Sequence, residues 1–160
     1  TIEFELQTDA GLHMGGWNID DLEVMVLGPS SGSCPTPVNY GTAKTTSMGW
    51  TPNIFSIGSP RVATGDFSVG LMFGQPNQAS ILASSTGQAN LPFYGGTLYL
   101  AGPITRGQVV YLSTFGDVEV AVPVDASMVG TTLYYQYWFR DPADSFGVGL
   151  SEGLEVTFCD

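Results

Sequence analysis

Histidine, the side chain that most often carries acid–base catalysis, occurs once in this chain, as His13. A catalytic triad would have to be built around that imidazole, because a nucleophilic serine needs a neighbouring base. His13 lies in a turn-rich segment beside Met14 and Gly15, where a solvated turn histidine is the simpler interpretation. We therefore predict that the chain has no catalytic residues and is not an enzyme.

Two adjacent carboxylates, Asp20 and Asp21, form a candidate calcium site. Carboxylate oxygens bind Ca²⁺ when backbone carbonyls complete the coordination shell. The alternative is a structural turn anchored by Trp17, with both carboxylates solvated. There is no His-Glu-x-x-His run, no Cys/His cluster and no Gly-rich loop leading into a helix, so zinc hydrolysis and phosphate binding are not predicted. No cofactor is expected beyond this candidate structural calcium.

A candidate ligand platform lies in the aromatic run Thr132–Arg140. Successive side chains of a strand alternate between its faces, so Tyr134 and Trp138 share one face with Gln136, and the intervening aromatic residues share the other. One face must be core. If the other is exposed, Tyr134 and Trp138, together with Trp50, suit sugar-ring stacking or a protein contact. Sugar hydrolysis would need two carboxylates, and nothing in the spacing of the 15 acidic residues selects a pair.

The segments that must position these residues are β-strands. Ile2, Phe4 and Leu6 alternate with polar residues, which is the period of a strand with one solvated face, and the alternation resumes over residues 17–27. Further short β-rich runs, separated by Gly, Pro and Asn, are Phe67–Phe73, Ala79–Ala83, Thr97–Leu100, Val109–Leu112, Val118–Val124, Thr132–Arg140 and Leu154–Phe158. Only Asp125–Gly130 could form a helical turn. We predict an all-β fold, an antiparallel β-sandwich of jelly-roll or Ig-like type with essentially no helix.

A segment rich in Pro, Gly and Ser divides the chain at residues 28–37. Neither a helix nor a central strand tolerates that composition, so the segment is predicted to be a linker. The predicted organisation is a terminal strand pair at residues 1–27, the linker at 28–37 and a β-sandwich domain at 38–160.

Composition excludes several classes of partner. The 160 residues include 21 Gly and 10 Pro, and are 43% hydrophobic but only 12% charged, which is typical of a packed, turn-rich domain. The net charge of −11 would repel nucleic-acid phosphates and anionic lipid. No run approaches the roughly 18 apolar residues of a transmembrane helix. We therefore expect neither nucleic-acid binding nor membrane insertion.

Cysteine occurs only as Cys34 and Cys159. An even pair with one member near the C-terminus indicates a disulfide staple, and the alternative is two buried free thiols. Closing a loop of about 125 residues would stabilise the fold by about 4–5 kcal/mol in the chain-entropy model. A disulfide would require an oxidising compartment, so the expected location is extracellular or at the cell surface.

Over residues 1–27, an alternating strand, a short loop and the sequence Gly-Trp-Asn-Ile-Asp-Asp-Leu at 16–22 follow one another. This arrangement resembles the last two strands of a jelly-roll module found in secreted bacterial peptidases and carbohydrate-binding proteins. The resemblance implies a strand pair that closes a sheet. A structural calcium near this motif is common in such modules, which is a second argument for the site at Asp20 and Asp21.

A second resemblance covers about residues 34–160. Its landmarks, in order, are Tyr40–Lys44, Gly49–Pro52, Pro92–Gly96, Gly102–Arg106, Gln136–Pro142 and Leu150–Cys159. They resemble a C-terminal β-sandwich domain of secreted proteins of planctomycete-type bacteria, mostly of unassigned function. Many members carry Cys where this chain has Gly41 and Trp50, so their additional bridges are lost here. The resemblance implies location and modular context and supplies no catalytic residues.

An isolated hairpin is marginal in water, so the strand pair at 1–27 needs a host. It must pack on the following domain or pair with another copy, as strand-addition assemblies do. We predict a non-catalytic extracellular module with a structural, adhesive or self-assembly role, such as a fibre or layer subunit joined through its N-terminal strands. The alternative is a carbohydrate-binding accessory module of a secreted hydrolase. The expected partners are another copy, a second surface protein or a glycan.

Overall fold

The computed structural model of this chain describes residues 34–160. The predictions made for the strand pair, for His13 and for the Asp20–Asp21 calcium site lie outside the described residues. The described strands are β1 (Val38–Tyr40), β2 (Asn53–Ile57), β3 (Ser68–Met72), β4 (Ala79–Ser85), β5 (Gln88–Phe93), β6 (Gly96–Leu100), β7 (Thr105–Tyr111), β8 (Val118–Ala121), β9 (Thr132–Arg140), β10 (Val148–Leu150) and β11 (Gly153–Thr157). The helical content of these residues is one 3₁₀ turn, Ala126–Met128. All strand pairs are antiparallel, so the predicted all-β, antiparallel fold is confirmed.

The larger sheet is built around β9, the aromatic strand. Its order is β1-β11-β9-β4-β7, and β10 also pairs with β9. Trp138 lies opposite Leu150 while Tyr135 lies opposite Leu154, so the chain between β10 and β11 carries one extra residue, a β-bulge. Ser151 compensates for the lost ladder bond, because its hydroxyl accepts the Tyr137 backbone N–H at 2.9 Å.

The second sheet has the order β2-β3-β8, and its buried side chains join those of the larger sheet in one hydrophobic cluster. Tyr135, Tyr137 and Phe139 all lie in that cluster, which confirms that this face of β9 is core. The Tyr137 hydroxyl also donates to the Val69 carbonyl of β3 at 2.7 Å. Burial raises the pKa of Tyr137, so this donor stays protonated. Apolar burial and side-chain hydrogen bonds, such as those of Tyr137 with Val69 and of Asn39 with the Ile54 carbonyl, thus hold the two sheets together.

The opposite face of β9 is covered over much of its length by the hairpin β5–β6. Gln136, on that face, is fully buried. Its Oε1 accepts the Tyr99 N–H at 3.1 Å, and its Nε2 donates to the carbonyls of Thr97 and Ser151, each at 2.8 Å. The Gln136 side chain therefore fastens the hairpin to the sheet, because it hydrogen-bonds to the backbone groups of Thr97 and Tyr99 in β6.

The predicted disulfide between Cys34 and Cys159 is present, with the Cα atoms 5.6 Å apart. That separation lies within the ordinary range for a disulfide. Cys159 is also held by its own backbone, because its N–H donates to Pro60 at 3.0 Å and its carbonyl accepts from Val62 at 3.1 Å. The bridge therefore joins the start of the described chain to an end that is already anchored.

Candidate ligand-binding groove

An open groove of about 490 Å³ lies on the hairpin side of the larger sheet, where the hairpin tip leaves part of β9 uncovered. We call it the Trp138 groove. Its main lining residues are Phe93, Tyr94, Arg106, Trp138 and Arg140. They come from the hairpin β5–β6, the edge strand β7 and the central strand β9, so the groove exists only when the hairpin is docked.

Three aromatic rings form one side of the groove. The Phe93 ring lies 5.4 Å from the Trp138 ring, tilted by 45°. The Tyr94 ring meets Phe93 edge-on at 4.6 Å and is 52% exposed. Aromatic side chains left partly exposed on a rigid sheet give a contact surface that costs little conformational entropy to order.

The hairpin tip that carries Tyr94 is held in an unfavourable backbone conformation. Tyr94 has φ of 45° and Gly95 has φ of 73°, as a two-residue type I′ turn requires. Asn, Asp and Gly are the usual occupants of such a turn, and a bulky residue there costs of order 1 kcal/mol. Gly95 is itself required, because a Cβ at that position would lie 2.5 Å from the Phe146 ring. A strained aromatic residue at the lip of a groove marks the groove as a candidate functional site, because backbone strain clusters at such sites.

Lys44 fixes the tip in place. Its Nζ donates to the carbonyls of Tyr94 at 2.8 Å and Val148 at 2.7 Å, and pairs with the Asp144 carboxylate at 2.5 Å. The hydrogen bond from Lys44 lowers the pKa of Asp144, so that carboxylate stays charged. An ammonium has three donors, and all three of these are occupied. Lys44 therefore positions the groove and has no donor left for a ligand.

A β-bulge places Arg106 at the groove. Val109 of β7 lies opposite Ile81, and Arg106 lies opposite Ala83, so β7 carries one residue more than β4 over this stretch. Residues three apart would otherwise point to opposite faces, and the bulge brings Arg106 and Val109 to the same one. Gly107 permits the bulge, since a Cβ there would lie 2.8 Å from the Leu82 carbonyl oxygen. The Arg106 guanidinium then lies 5.5 Å from the centre of the Trp138 ring.

The groove concentrates positive charge. Two of the chain's four basic residues, Arg106 and Arg140, line the groove. None of the described residues that line the groove is acidic. Within residues 34–160 the ion pair observed is Lys44–Asp144, so neither arginine is neutralised there. Asp141, next to Arg140 in sequence, is buried and accepts hydrogen bonds from the backbone and hydroxyl of Ser47.

The three residues predicted to form a ligand platform are not brought together. Trp138 lines the groove. Tyr134 packs edge-on against Tyr40 at 6.0 Å, towards the other end of β9. Trp50 closes a turn before β2, where its carbonyl accepts from Thr46 at 2.8 Å. Neither Tyr134 nor Trp50 is among the residues that line the groove.

Four groove residues, Phe93, Tyr94, Arg106 and Arg140, were not predicted as a ligand platform. One signal for them was the pair Phe93–Tyr94 directly before Gly-Gly, which marks a hairpin tip. The other was the scarcity of basic residues, which makes each arginine of this acidic chain informative. The strand pairing that joins these signals could be read only from the structure.

Residues 34–160 contain no group of three or more His, Cys, Asp or Glu side chains that could hold a metal ion. In the same residues, no helix is long and apolar enough to cross a membrane. The calcium prediction at Asp20 and Asp21 stays a prediction, because both residues lie in the part of the chain that is not described.

No protein-family model, curated protein or solved structure matches this chain. The resemblances to a jelly-roll module and to a planctomycete-type C-terminal domain therefore stay predictions. The chemistry of the Trp138 groove is what indicates a function.

Proposed function

We propose that this chain is a non-catalytic, extracellular β-sandwich module that binds carbohydrate through the Trp138 groove, as an adhesive module or as an accessory module of a secreted hydrolase. The observation that carries the proposal is the juxtaposition of three aromatic rings with two arginines that form no ion pair among the described residues, in one open groove. The aromatic rings match the apolar face of a sugar, and the arginines match its polar hydroxyl groups.

A sugar ring has an apolar face of C–H groups and a polar rim of hydroxyl groups. Partly exposed rings such as Trp138 and Tyr94 suit the face, and guanidinium N–H groups suit the rim. The groove volume of about 490 Å³ lies within the range of small-ligand sites. The open shape suits a segment of a chain better than a small molecule enclosed on all sides.

The side chains that line the groove support binding without hydrolysis. Cleavage of a glycosidic bond by the usual mechanism needs two carboxylic groups flanking that bond. The described lining residues supply arginines and rings but no carboxylate. A sugar held there would contact donors and apolar surface, with no acid to protonate the leaving oxygen.

An extracellular location is supported by the disulfide. Structural disulfides form and persist in oxidising compartments. The Cys34–Cys159 bridge spans 125 residues and is the kind of staple that a secreted module keeps. This is the reason we assign the module to the cell exterior.

Replacing Trp138 with alanine is expected to abolish carbohydrate binding, because the central ring of the groove is lost.

Tyr94→Asn is expected to weaken binding with little change in the stability of the fold. Relief of the strained φ and loss of the Phe93 ring contact are each worth about 1 kcal/mol and offset one another, so stability should change by less than about 0.5 kcal/mol while binding weakens. Binding is measured on a glycan array and then by calorimetry, with urea unfolding for stability.

Trp50→Ala is the matched control, since it removes the same side chain outside the groove. It should leave binding unchanged. Glycan binding that survives both Trp138→Ala and Tyr94→Asn in folded protein would contradict the proposal. So would binding that depends on Trp50 alone.

A second candidate function, self-assembly, is favoured by the edge strand β7. Among residues 34–160 this strand pairs with β4 alone, and its apolar side chains Val109 and Tyr111 are 62% and 72% exposed. A long unpaired edge with exposed apolar residues is a template for an added strand. The predicted strand pair at residues 1–27 of a second copy is the partner we propose for it.

Light scattering coupled to size exclusion tests this assembly. The full chain should form concentration-dependent oligomers, and removing residues 1–27 should return it to the monomer. Tyr111→Lys should do the same, since a lysine on an edge strand blocks strand addition. Ser145→Lys adds the same charge on an exposed loop and should leave the oligomers intact. An unchanged size after the deletion would refute the assembly.

A further inference from the structure

We infer that the sugar recognised by the Trp138 groove is a uronic acid, within an anionic polysaccharide, and that Arg106 and Arg140 bind its carboxylates. This inference rests on the proposed function and specifies its ligand. It comes from the charge of the groove, which is opposite to that of the rest of the chain.

The charge distribution is uneven. The chain has 15 acidic and 4 basic residues, yet the described groove lining contains two of the bases and none of the acids. A neutral sugar does not require a groove lined by basic residues alone, because its hydroxyl groups form hydrogen bonds equally well with carboxylates and amides. Charge complementarity chiefly provides specificity, and here it selects a negatively charged ligand.

Arg106 is held ready for a carboxylate. Its guanidinium carbon lies 5.5 Å from the centre of the Trp138 ring, which is within the range of a cation–π contact. The guanidinium N–H groups form a planar fork that matches the two oxygens of a carboxylate. No described residue forms an ion pair with Arg106, so this fork is open to a ligand.

The overall charge of −11 does not prevent this binding. Exposed charges farther away than about 8–10 Å are largely screened at physiological salt, whereas a carboxylate in the groove contacts the arginines directly. The acidic surface would instead slow the approach of any polyanion and suppress binding elsewhere on the molecule. Selectivity for one groove is the expected consequence.

Arg106 and Arg140 reach the groove from strands on opposite sides of β4. Arg106 lies opposite Ala83 of β4, and Arg140 follows Phe139, which lies opposite Ser80 on the other side of the same strand. Strand geometry then puts their Cα atoms about 16 Å apart, with Trp138 between them. The ligand that uses both is a run of sugar units with repeated carboxylates, lying across the aromatic rings.

The test compares short oligomers of galacturonic acid with their fully methyl-esterified forms, which keep the same sugar chain but lose the charge. Calorimetric titration of the full chain should give binding to the acid at least about 10-fold tighter than to the ester. Arg106→Ala should weaken binding of the acid by about 10- to 100-fold, as expected for a charge-assisted bidentate contact, and Arg140→Ala by less. Arg106→Lys keeps the charge but loses the fork, so it should restore only part of the affinity.

The control arms separate the possible failures. Equal affinity for acid and ester, or no effect of Arg106→Ala, with Trp138→Ala still abolishing binding, would overturn the uronate inference and leave carbohydrate binding intact. Tighter binding of sulfated oligosaccharides than of uronates would also overturn it. Equally tight binding of polyglutamate that is lost in Arg106→Ala but unaffected by Trp138→Ala would also overturn it, because the arginine would then bind an acidic peptide without the aromatic ring. Failure of every oligosaccharide to bind would overturn the proposed function itself.

Discussion

Replacing Cys34 and Cys159 together with serine is expected to lower the free energy of unfolding by about 4 kcal/mol. The disulfide closes a loop of 125 residues, and in the chain-entropy model such a loop removes about 4–5 kcal/mol of unfolded-state entropy. The folded state should keep its structure, because the backbone of Cys159 is independently hydrogen-bonded to Pro60 and Val62. The melting temperature should fall by roughly 10–20 °C.

Equilibrium urea unfolding with and without reductant measures this effect. The m-value should also rise on reduction, since an unbridged unfolded chain exposes more surface. Reductant should have no effect on the double serine variant, which is the control for side reactions. A loss of stability below about 1 kcal/mol would contradict the assignment of the bridge as the main staple of the fold.

Gln136→Leu is expected to destabilise the protein by about 3 kcal/mol or more. Leucine fills nearly the same space but leaves the Tyr99 N–H and the carbonyls of Thr97 and Ser151 without the partners that Gln136 supplies. Each buried polar group left unpaired costs about 1–3 kcal/mol. The hairpin β5–β6 is fastened by these bonds, so its tip residues Phe93 and Tyr94 should loosen and ligand affinity should fall as well.

Hydrogen exchange of the β6 amides, combined with urea unfolding, measures this loosening. The Tyr99 amide should lose protection before the amides of the central strand β4 do. Gln108→Leu makes the same substitution at an exposed position of β7 and should leave both stability and exchange unchanged. A Gln136→Leu variant within about 1 kcal/mol of the parent would show that the hairpin docks by other means.

The strands with a strong β pattern could be predicted from the sequence. The aromatic run Thr132–Arg140 is β9 without a change of bounds, and Ala79–Ala83 needed only two more residues to become β4. Alternation also predicted that one face of β9 would be core, and its aromatic residues at 135, 137 and 139 are. These strands could be predicted because their own side chains determine both their conformation and their burial.

The strands that depend on partners could not be predicted. β5 contains Pro92 and has no alternating pattern, and it is a strand only because it pairs with β6 and docks on Gln136. For the same reason, no sequence pattern indicates that a hairpin covers the second face of β9. Strand alternation alone puts Tyr134 and Trp138 on one continuous face. In the structure, Tyr134 packs against Tyr40 and Trp138 packs against Phe93 of the hairpin, so the two rings are separated.

Only part of the groove could be predicted from the sequence. Trp138 was identified as a candidate because it stands on a recognisable strand. Arg106 reaches it through a bulge whose position depends on the pairing of β7 with β4. Tyr94 reaches it through a strained turn that propensity disfavours. Both are cases in which tertiary structure overrides local preference, as is common at functional sites.

The most direct test of carbohydrate binding at this groove is a titration followed through the tryptophan indole N–H signals by NMR. The chain has three tryptophans, Trp17, Trp50 and Trp138, so three signals report separately on three places in the sequence. On addition of a galacturonic acid oligomer, the Trp138 signal should shift and saturate, while the Trp50 and Trp17 signals stay in place. A saturating shift of Trp50 or Trp17 with Trp138 unmoved, or no shift of any indole, would contradict binding in the Trp138 groove.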